Sequence, residues 1–415
     1  MANKHTITAL LYFCTCLSIL VGLVMQDFYK IPLTGGIIVL GLIWVFSFGY
    51  KEKYRTLITK PLALAFLGFY LLHLLSSFYS SNSSVALHDL QLKISLVLLP
   101  IFMLSTSLFS KDWKRLLLKA FSILMVGMAV YDLFTSYTEF IISSNYSSFY
   151  YKNLPHLLVS KPHYVAWYYS FALFIALYEI IIRNKYKILW SIAASILMLS
   201  LIFLSSRAYL LAFSIVAIIS GTIWIRKRSV SKRSILKLLL PLGFLISLVL
   251  IIPNTRARIV DTYAEINKLV DHDDHRQTNP RVYIWKYAGK LIKEKMLLGY
   301  GIGDAKLELN KALEKCDALF WNGSENVLLN KKQLNYHNQF LQTWAEVGIL
   351  GLLLLLYLMI KPFFLKNKHP LFLIFVGLTL FGFLTESMLE RQAGVVMLAF
   401  MYPLLYSLGE EKMEN

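Results

Sequence analysis

Acidic residues are scarce in this chain: 24 aspartates and glutamates stand against 42 lysines and arginines, a formal net charge of +18. Such an excess can mark a nucleic-acid partner. The rest of the composition weighs against that. Of the 415 residues, 57% are hydrophobic and the mean hydropathy is +0.57, whereas a soluble globular domain is about 45–50% apolar. In a chain that crosses a membrane many times, the excess belongs to cytoplasmic loops rich in Lys and Arg. Cysteine is nearly absent. Three residues give no disulfide framework, Cys14 and Cys16 are spaced so that they do not face each other on a helix, and Cys316 stands alone. Internal repeats, heptads and low-complexity tracts are missing. So are the phosphate-binding loop, the dinucleotide fingerprint, the nucleophile elbow and the zinc motifs, which leaves nucleotide- or zinc-driven chemistry without support.

What is present is a series of apolar runs, most near the ~20 residues needed to cross a bilayer core. They span 7–25, 33–48, 62–78, 92–108, 116–141, 164–182, 188–204, 208–225, 238–252, 340–360, 371–384 and 394–408. The expectation is an all-α polytopic membrane protein of about twelve spans. The first run is preceded by Lys4 and His5 like a signal peptide, but no small-residue cleavage site follows, so it reads as a retained span. One alternate set of loops, 51–55, 111–115, 183–187, 226–237 and 361–369, is basic. The positive-inside rule places these and both termini in the cytoplasm. The loops 80–89, 143–163, 205–207 and the long 253–337 then face outward. Three parts follow: transmembrane helices over 1–252, an extracytoplasmic loop with short helices over 253–337, and transmembrane helices over 338–415.

The long loop is expected to be structured. Ile259, Tyr263, Ile266 and Val270 form one stripe at helical spacing, and Trp285, Ala288 and Ile292 another. Asn279 is a good N-cap and Pro280 suits the first helical position. The run Gly299-Tyr300-Gly301-Ile302-Gly303 breaks the chain, Asp304 can cap the next helix, and Asn322-Gly323 reads as a turn.

The chain is organised around Tyr336 to Gly351, which joins this loop to a strongly apolar helix. His337 and Asn338 sit at the junction of water and membrane. His337 is the candidate for acid–base work, since imidazole exchanges a proton near neutral pH; its alternative role is a helix cap, as is that of Asn338. Glu346 lies further into the helix, where a carboxylate is costly unless it faces protein or water, so it points to a lined cavity. Gly348 and Gly351 thin one face and let another helix approach. Arg281 falls in the first turn of its helix, where free N–H groups attract anions and a guanidinium adds a strong diphosphate contact; its alternative is a surface arginine paired with a nearby acid. Arg207 occupies a turn too short to carry it far into water. It either snorkels to the interface or points into a cavity to bind phosphate. Lys161 and His163 open a span on the same outer side and either contact a glycan or anchor the interface. Glu386, Glu390 and Arg391, between the last two spans, either pair with one another or line the cavity. Asp271 to His275 has the composition of a metal cluster, but adjacent acids in a polar loop are usually solvated, and no metal is assigned.

His337-Asn338-x-x-Leu341, then Glu346-x-Gly348, then Gly351 resembles the signature of the O-antigen ligase and polymerase superfamily. The resemblance covers mainly residues 188–408 and includes Ser206-Arg207, Arg281-x-x-x-Trp285 and the Gly299-x-Gly301-x-Gly303 turn. It implies a multi-pass glycosyltransferase of the bacterial inner membrane with its active site facing the periplasm. The implied donor is a polyprenyl-diphosphate-linked glycan and the implied acceptor a lipid or glycan, such as lipid A-core. Arg207 and Arg281 match the positions that hold the donor diphosphate, and His337 the one that activates the acceptor hydroxyl. Lys161, His163, Asn338 and Glu346 remain possible substrate contacts. No metal or nucleotide cofactor and no nucleic acid is implied. The acid-rich insertion near residue 273 departs from the family. Three alternatives stay open: a polymerase of lipid-linked repeat units, a ligase that O-glycosylates protein, and a flippase or other transporter. A transporter would more often show paired halves with charges near the membrane midplane, whereas here the polar candidates cluster on the outer side.

Overall fold

The computed structural model describes residues 2–25, 31–47, 49–106, 110–154, 162–183, 185–228, 280–314, 319–321, 326–328 and 334–410. It is helical, as the apolar runs predict. The helices are α1 (Ala2–Val24), α2 (Ile31–Ser47), α3 (Tyr50–Ile58), α4 (Pro61–Ser77), α5 (Ser83–Lys93), α6 (Ser95–Leu104), α7 (Lys111–Ser143), α8 (Pro162–Tyr178), α9 (Lys187–Phe203), α10 (Arg207–Arg228), α11 (Pro280–Glu294), α12 (Ala305–Glu314), α13 (Gln339–Ile360), α14 (Pro370–Thr385) and α15 (Gln392–Glu410). A small antiparallel ribbon pairs β1 (Leu319–Trp321) with β2 (Asn326–Leu328). These strands bracket the expected turn at Asn322-Gly323, which itself lies outside the described residues.

Among the described residues, seven helical stretches, one of them α5 and α6 together, are long and apolar enough to cross a membrane, or eight if α2 and α3 are one bent span. Three shorter apolar helices, α4, α9 and α14, accompany them. The predicted span 238–252, the Ile259–Val270 stripe and Asp271 to His275 fall outside the described residues. The count of about twelve is thus not reached within the described part. Large apolar side chains face outward on several of these helices. Examples are Phe46 on α2, Ile123 and Phe134 on α7, Ile188 on α9, and Leu211 and Ile219 on α10. In water such bands would be aggregation sites; in lipid they are the expected surface. This is a membrane protein.

The core is built around α8, in which every residue from Tyr164 to Ala176 is buried. Trp167 stacks on Phe375 of α14 at 5.6 Å between ring centroids. The Ser122 hydroxyl of α7 donates to the Ala172 carbonyl (3.0 Å). Asp132, fully buried in α7, accepts from the Tyr169 hydroxyl (2.8 Å), so this carboxylate lies against protein rather than lipid.

Three local expectations change. Residues 80–89, read as a loop, are mostly α5, whose N-cap Asn82 accepts from the Val85 N–H (3.2 Å). Ala86 and Leu90, one turn apart, pack with Ile302 in a small core of their own, which outweighs the loop-like Ser83-Ser84. The Asp304 carboxylate does not cap its own helix. It accepts from the backbone N–H groups of Ser81 (2.6 Å) and Asn82 (3.0 Å). Gly348 does not serve helix–helix approach. Its φ of 71° and ψ of −167° break α13, and the backbone of the 296–301 turn docks into the break.

That docking explains the glycines. Tyr300 and Gly301 donate their N–H groups to the carbonyls of Ala345 (2.7 Å) and Glu346 (3.0 Å), and Ile349 N–H donates to the Met296 carbonyl (3.0 Å). Backbone groups freed inside a membrane helix need such partners. A Cβ at Gly348 would collide with the Leu297 carbonyl, and one at Gly299, φ 72°, with Ala345 and Glu346. On the other side, the Ser76 and Ser80 hydroxyls accept from Ile302 N–H (3.2 Å) and Gly303 N–H (3.1 Å). The turn is thereby clamped between the end of α4 and the break in α13. It carries α11 and α12, which bury Ile284, Ala288, Leu309 and Leu313 with Tyr336 in a second core.

Candidate functional site

His337 lies where that second core meets the membrane helices. Its φ of 46° is left-handed, a strained conformation for a residue with a Cβ, and such strain is often found at functional sites. Two asparagines hold it. The Asn335 side chain accepts from His337 N–H (3.1 Å), and the Asn338 side chain caps α13 by accepting from Phe340 N–H (2.9 Å) and Leu341 N–H (3.1 Å). Asn338 also donates to the Leu384 carbonyl (3.3 Å). This residue is therefore committed to the helix start.

The imidazole meets Glu386, the C-cap residue of α14, at 3.0 Å between Nδ1 and Oε2. Asn335 Nδ2 donates to the other carboxylate oxygen (3.4 Å). Glu386 is almost fully enclosed while His337 is 21% exposed. The pair thus has the form of an exposed imidazole backed by a buried carboxylate. It opens into a cavity of about 310 Å³ lined by Tyr164, Lys306, Asn310, Asn335, Ser387, Glu390 and Arg391 among others. Asn310 shapes its wall, exchanging hydrogen bonds with the Leu334 backbone at 2.8 and 3.0 Å.

Sharing Lys306 and Glu390 with this wall is a largely enclosed set of charges. Lys93 of α5 is fully buried and lies 2.8 Å from Glu390 and 3.7 Å from Glu346. Lys306 pairs with Glu390 and lies 3.5 Å from Asp89. Gln342 Nε2 donates to Glu346 (2.6 Å), and His73 Nε2 faces the same carboxylate at 3.4 Å while its Nδ1 meets the Phe69 carbonyl (2.8 Å). Glu346 is therefore enclosed by protein and does not line the cavity. The three carboxylates of the set, Asp89, Glu346 and Glu390, outnumber its two lysines by one. Burial works against ionisation of Glu390, but Lys93 and Lys306 outweigh it and hold the carboxyl well below the usual range. Burial likewise works against the charge of Lys306, and Glu390 and Asp89 reverse it, raising the ammonium's pKa. One oxygen from each of Asp89, Glu346 and Glu390 falls within 4.8 Å of the others, a spacing that could hold a metal. Lys93 and Lys306 already supply cations to those oxygens, so this set does not fit an added divalent ion.

The predicted arginines stand at the same end of the molecule but not in the cavity wall. Arg281 is half-buried in the first turn of α11. Trp285, four residues on and so on the same helical face, donates its indole N–H to the Tyr336 carbonyl (3.1 Å) beside His337. Arg207 is the first residue of α10, which packs on α14; the Tyr209 hydroxyl lies against Gly382, one turn before Glu386. His163 is half-buried at the start of α8, one residue before the cavity-lining Tyr164. Lys161 lies outside the described residues.

In the sequence, Glu386 and Arg391 share the outer junction with nothing to separate their roles, and no local pattern marks Lys306. A lone acid ending an apolar run was the available signal for Glu386. No curated protein matches the chain. A family model described as O-Antigen ligase matches residues 192–356, a stretch that includes Arg207, Arg281 and His337. The match supports, at the level of the family, a membrane enzyme of glycosyltransferase type, and agrees with the resemblance carried by His337, Asn338, Glu346 and Gly348.

Proposed function

We propose that this protein is an O-antigen ligase-like glycosyltransferase that moves a glycan from a polyprenyl diphosphate carrier to an acceptor hydroxyl, such as one on lipid A-core. The observation that carries the reading is the His337–Glu386 pair, 3.0 Å apart, at the mouth of a cavity at the end of the apolar helices. The family match over 192–356 supports it. Neutral imidazole carries one proton. A hydrogen bond from Nδ1 to Glu386 puts that proton on Nδ1 and leaves the Nε2 lone pair to accept another, the arrangement a general base needs. The acceptor oxygen attacks the anomeric carbon from the face opposite the diphosphate, its proton passes to His337, and the bond to the diphosphate breaks with inversion. Glu386 stabilises the imidazolium so formed. The diphosphate is already a good leaving group, and Arg207 and Arg281, permanently charged forks at the same end of the molecule, neutralise it. A metal is not required by this scheme. In this reading the cavity faces the periplasm from the inner membrane and both termini lie in the cytoplasm, an orientation that the basic loops support.

The test separates an enzyme from a transporter. In cells carrying His337→Ala, the lipid-linked donor should accumulate on the outer leaflet, detected by leaflet-resolved labelling at equal protein level. Accumulation on the inner leaflet would mean that the protein moves the lipid rather than consuming it.

A further inference from the structure

The junction between α14 and α15 carries Glu386, Glu390 and Arg391, and each has a different surrounding. Glu386 is tied to His337, and Glu390 to Lys93 and Lys306. Arg391 is exposed, lines the same cavity, and has no side-chain hydrogen bond or ion pair among the described residues. The other cation in the wall, Lys306, is engaged by Glu390 and Asp89. Arg391 therefore supplies the uncommitted positive charge of the described wall.

Its backbone position reinforces that charge. Arg391 immediately precedes α15, and its carbonyl accepts the helix's opening hydrogen bond from Val395 N–H (3.1 Å). The guanidinium is thus carried at the positive end of a 19-residue helix with no acid in its first turn, where anions are favoured. The reaction needs a cation there. The acceptor oxygen that gives its proton to His337 attacks the anomeric carbon from the face opposite the diphosphate, so the departing diphosphate must lie within about the width of a sugar ring of that oxygen, and neither Arg207 nor Arg281 lines this cavity. We propose that Arg391 grips the phosphate oxygens of the donor diphosphate inside the cavity, a third arginine beyond the two of the scheme above. The inference rests on the glycosyl-transfer reading. A planar fork that pairs two phosphate oxygens would equally pair a carboxylate, so the test must distinguish a phosphate from an acidic sugar.

The experiment measures binding by the full-length protein in detergent. The probes are geranylgeranyl diphosphate, geranylgeraniol, and an oligosaccharide of uronic acids. Wild type should bind the diphosphate more tightly than the alcohol. Arg391→Gln should weaken the diphosphate by about tenfold or more, the loss expected for a charge-assisted hydrogen bond, without changing the alcohol. Arg391→Lys should recover only part of that, since a point charge cannot replace the fork. Unchanged diphosphate binding in Arg391→Gln, with wild type binding normally, would overturn the proposal and leave the glycosyl-transfer reading intact. Loss of uronate binding alone would also overturn it, assigning Arg391 to the glycan. Wild type that binds the diphosphate no better than the alcohol would overturn both the proposal and the reading beneath it.

Discussion

Two sets of ionisable side chains meet in this molecule and share Glu390 and Lys306, yet their surroundings are opposite. In the closed set, the side chains of Lys93, Glu346 and Glu390 are almost fully enclosed, and Lys93 lies between the two carboxylates. In the open set, His337 reaches the cavity with one carboxylate behind it, and Arg391 stands exposed beside it. A buried charge that loses its partner has no water to turn to, whereas an exposed imidazole can gain and lose a proton as chemistry requires. The closed set should therefore hold the outer helices onto the bundle, and the open set should carry the reaction. The turn at Gly299–Asp304 belongs with the closed set, because it fixes Lys306 where α12 begins.

The most severe way to break this contrast is Lys93→Met. It leaves three carboxylates around one ammonium, and removal of one partner from a buried ion set costs about 3–5 kcal/mol. Thermal unfolding in detergent should show a large drop in midpoint. A midpoint near wild type would mean that water reaches the cluster. Next is Glu386→Gln, which keeps the size of the side chain while removing the charge behind His337. Transfer should fall by about tenfold to a hundredfold, less than the about 10²–10⁴ that a positioned base supplies, and the unfolding midpoint should scarcely move. An equal loss of stability and activity would merge the two sets into one. Gly348→Ala should cost about 1–3 kcal/mol, because it forces a side chain into a left-handed backbone against the Leu297 carbonyl. Hydrogen exchange should rise first at Tyr300 and Gly301; a uniform rise along α13 would contradict the docked turn. The smallest effect should come from excess chelator, which should leave the transfer rate within about twofold, since arginines supply the positive charge. Activity that vanished and returned with a divalent ion would move the chemistry to the acidic residues.

The sequence shows one of these sets far better than the other. His337 and Asn338 are legible because they mark a change from polar loop to apolar helix, and the Asn338 cap follows from local chemistry. The spans are legible because hydropathy is a property of consecutive residues. The closed set is not, because its members come from α4, α5, α12, α13 and the 388–390 turn, and no local pattern links Lys93 to Glu390. Glu346 reads as a costly carboxylate, but whether it faces a cavity or a lysine depends on partners hundreds of residues away. Gly348 looked like the small residue of a helix contact, which is its commoner use in membranes; only the docked backbone of 296–301 reveals a break.

The central claim is that the open pair performs the transfer while the fold rests on the closed set. The most direct test is single-turnover glycan transfer by purified His337→Ala protein, compared with wild type at equal folded concentration and with the unfolding midpoint recorded on the same samples. The account predicts a rate lower by about 10²–10⁴ with the midpoint essentially unchanged. Transfer within about twofold of wild type would contradict it, as would a collapse in stability that matched the loss of rate.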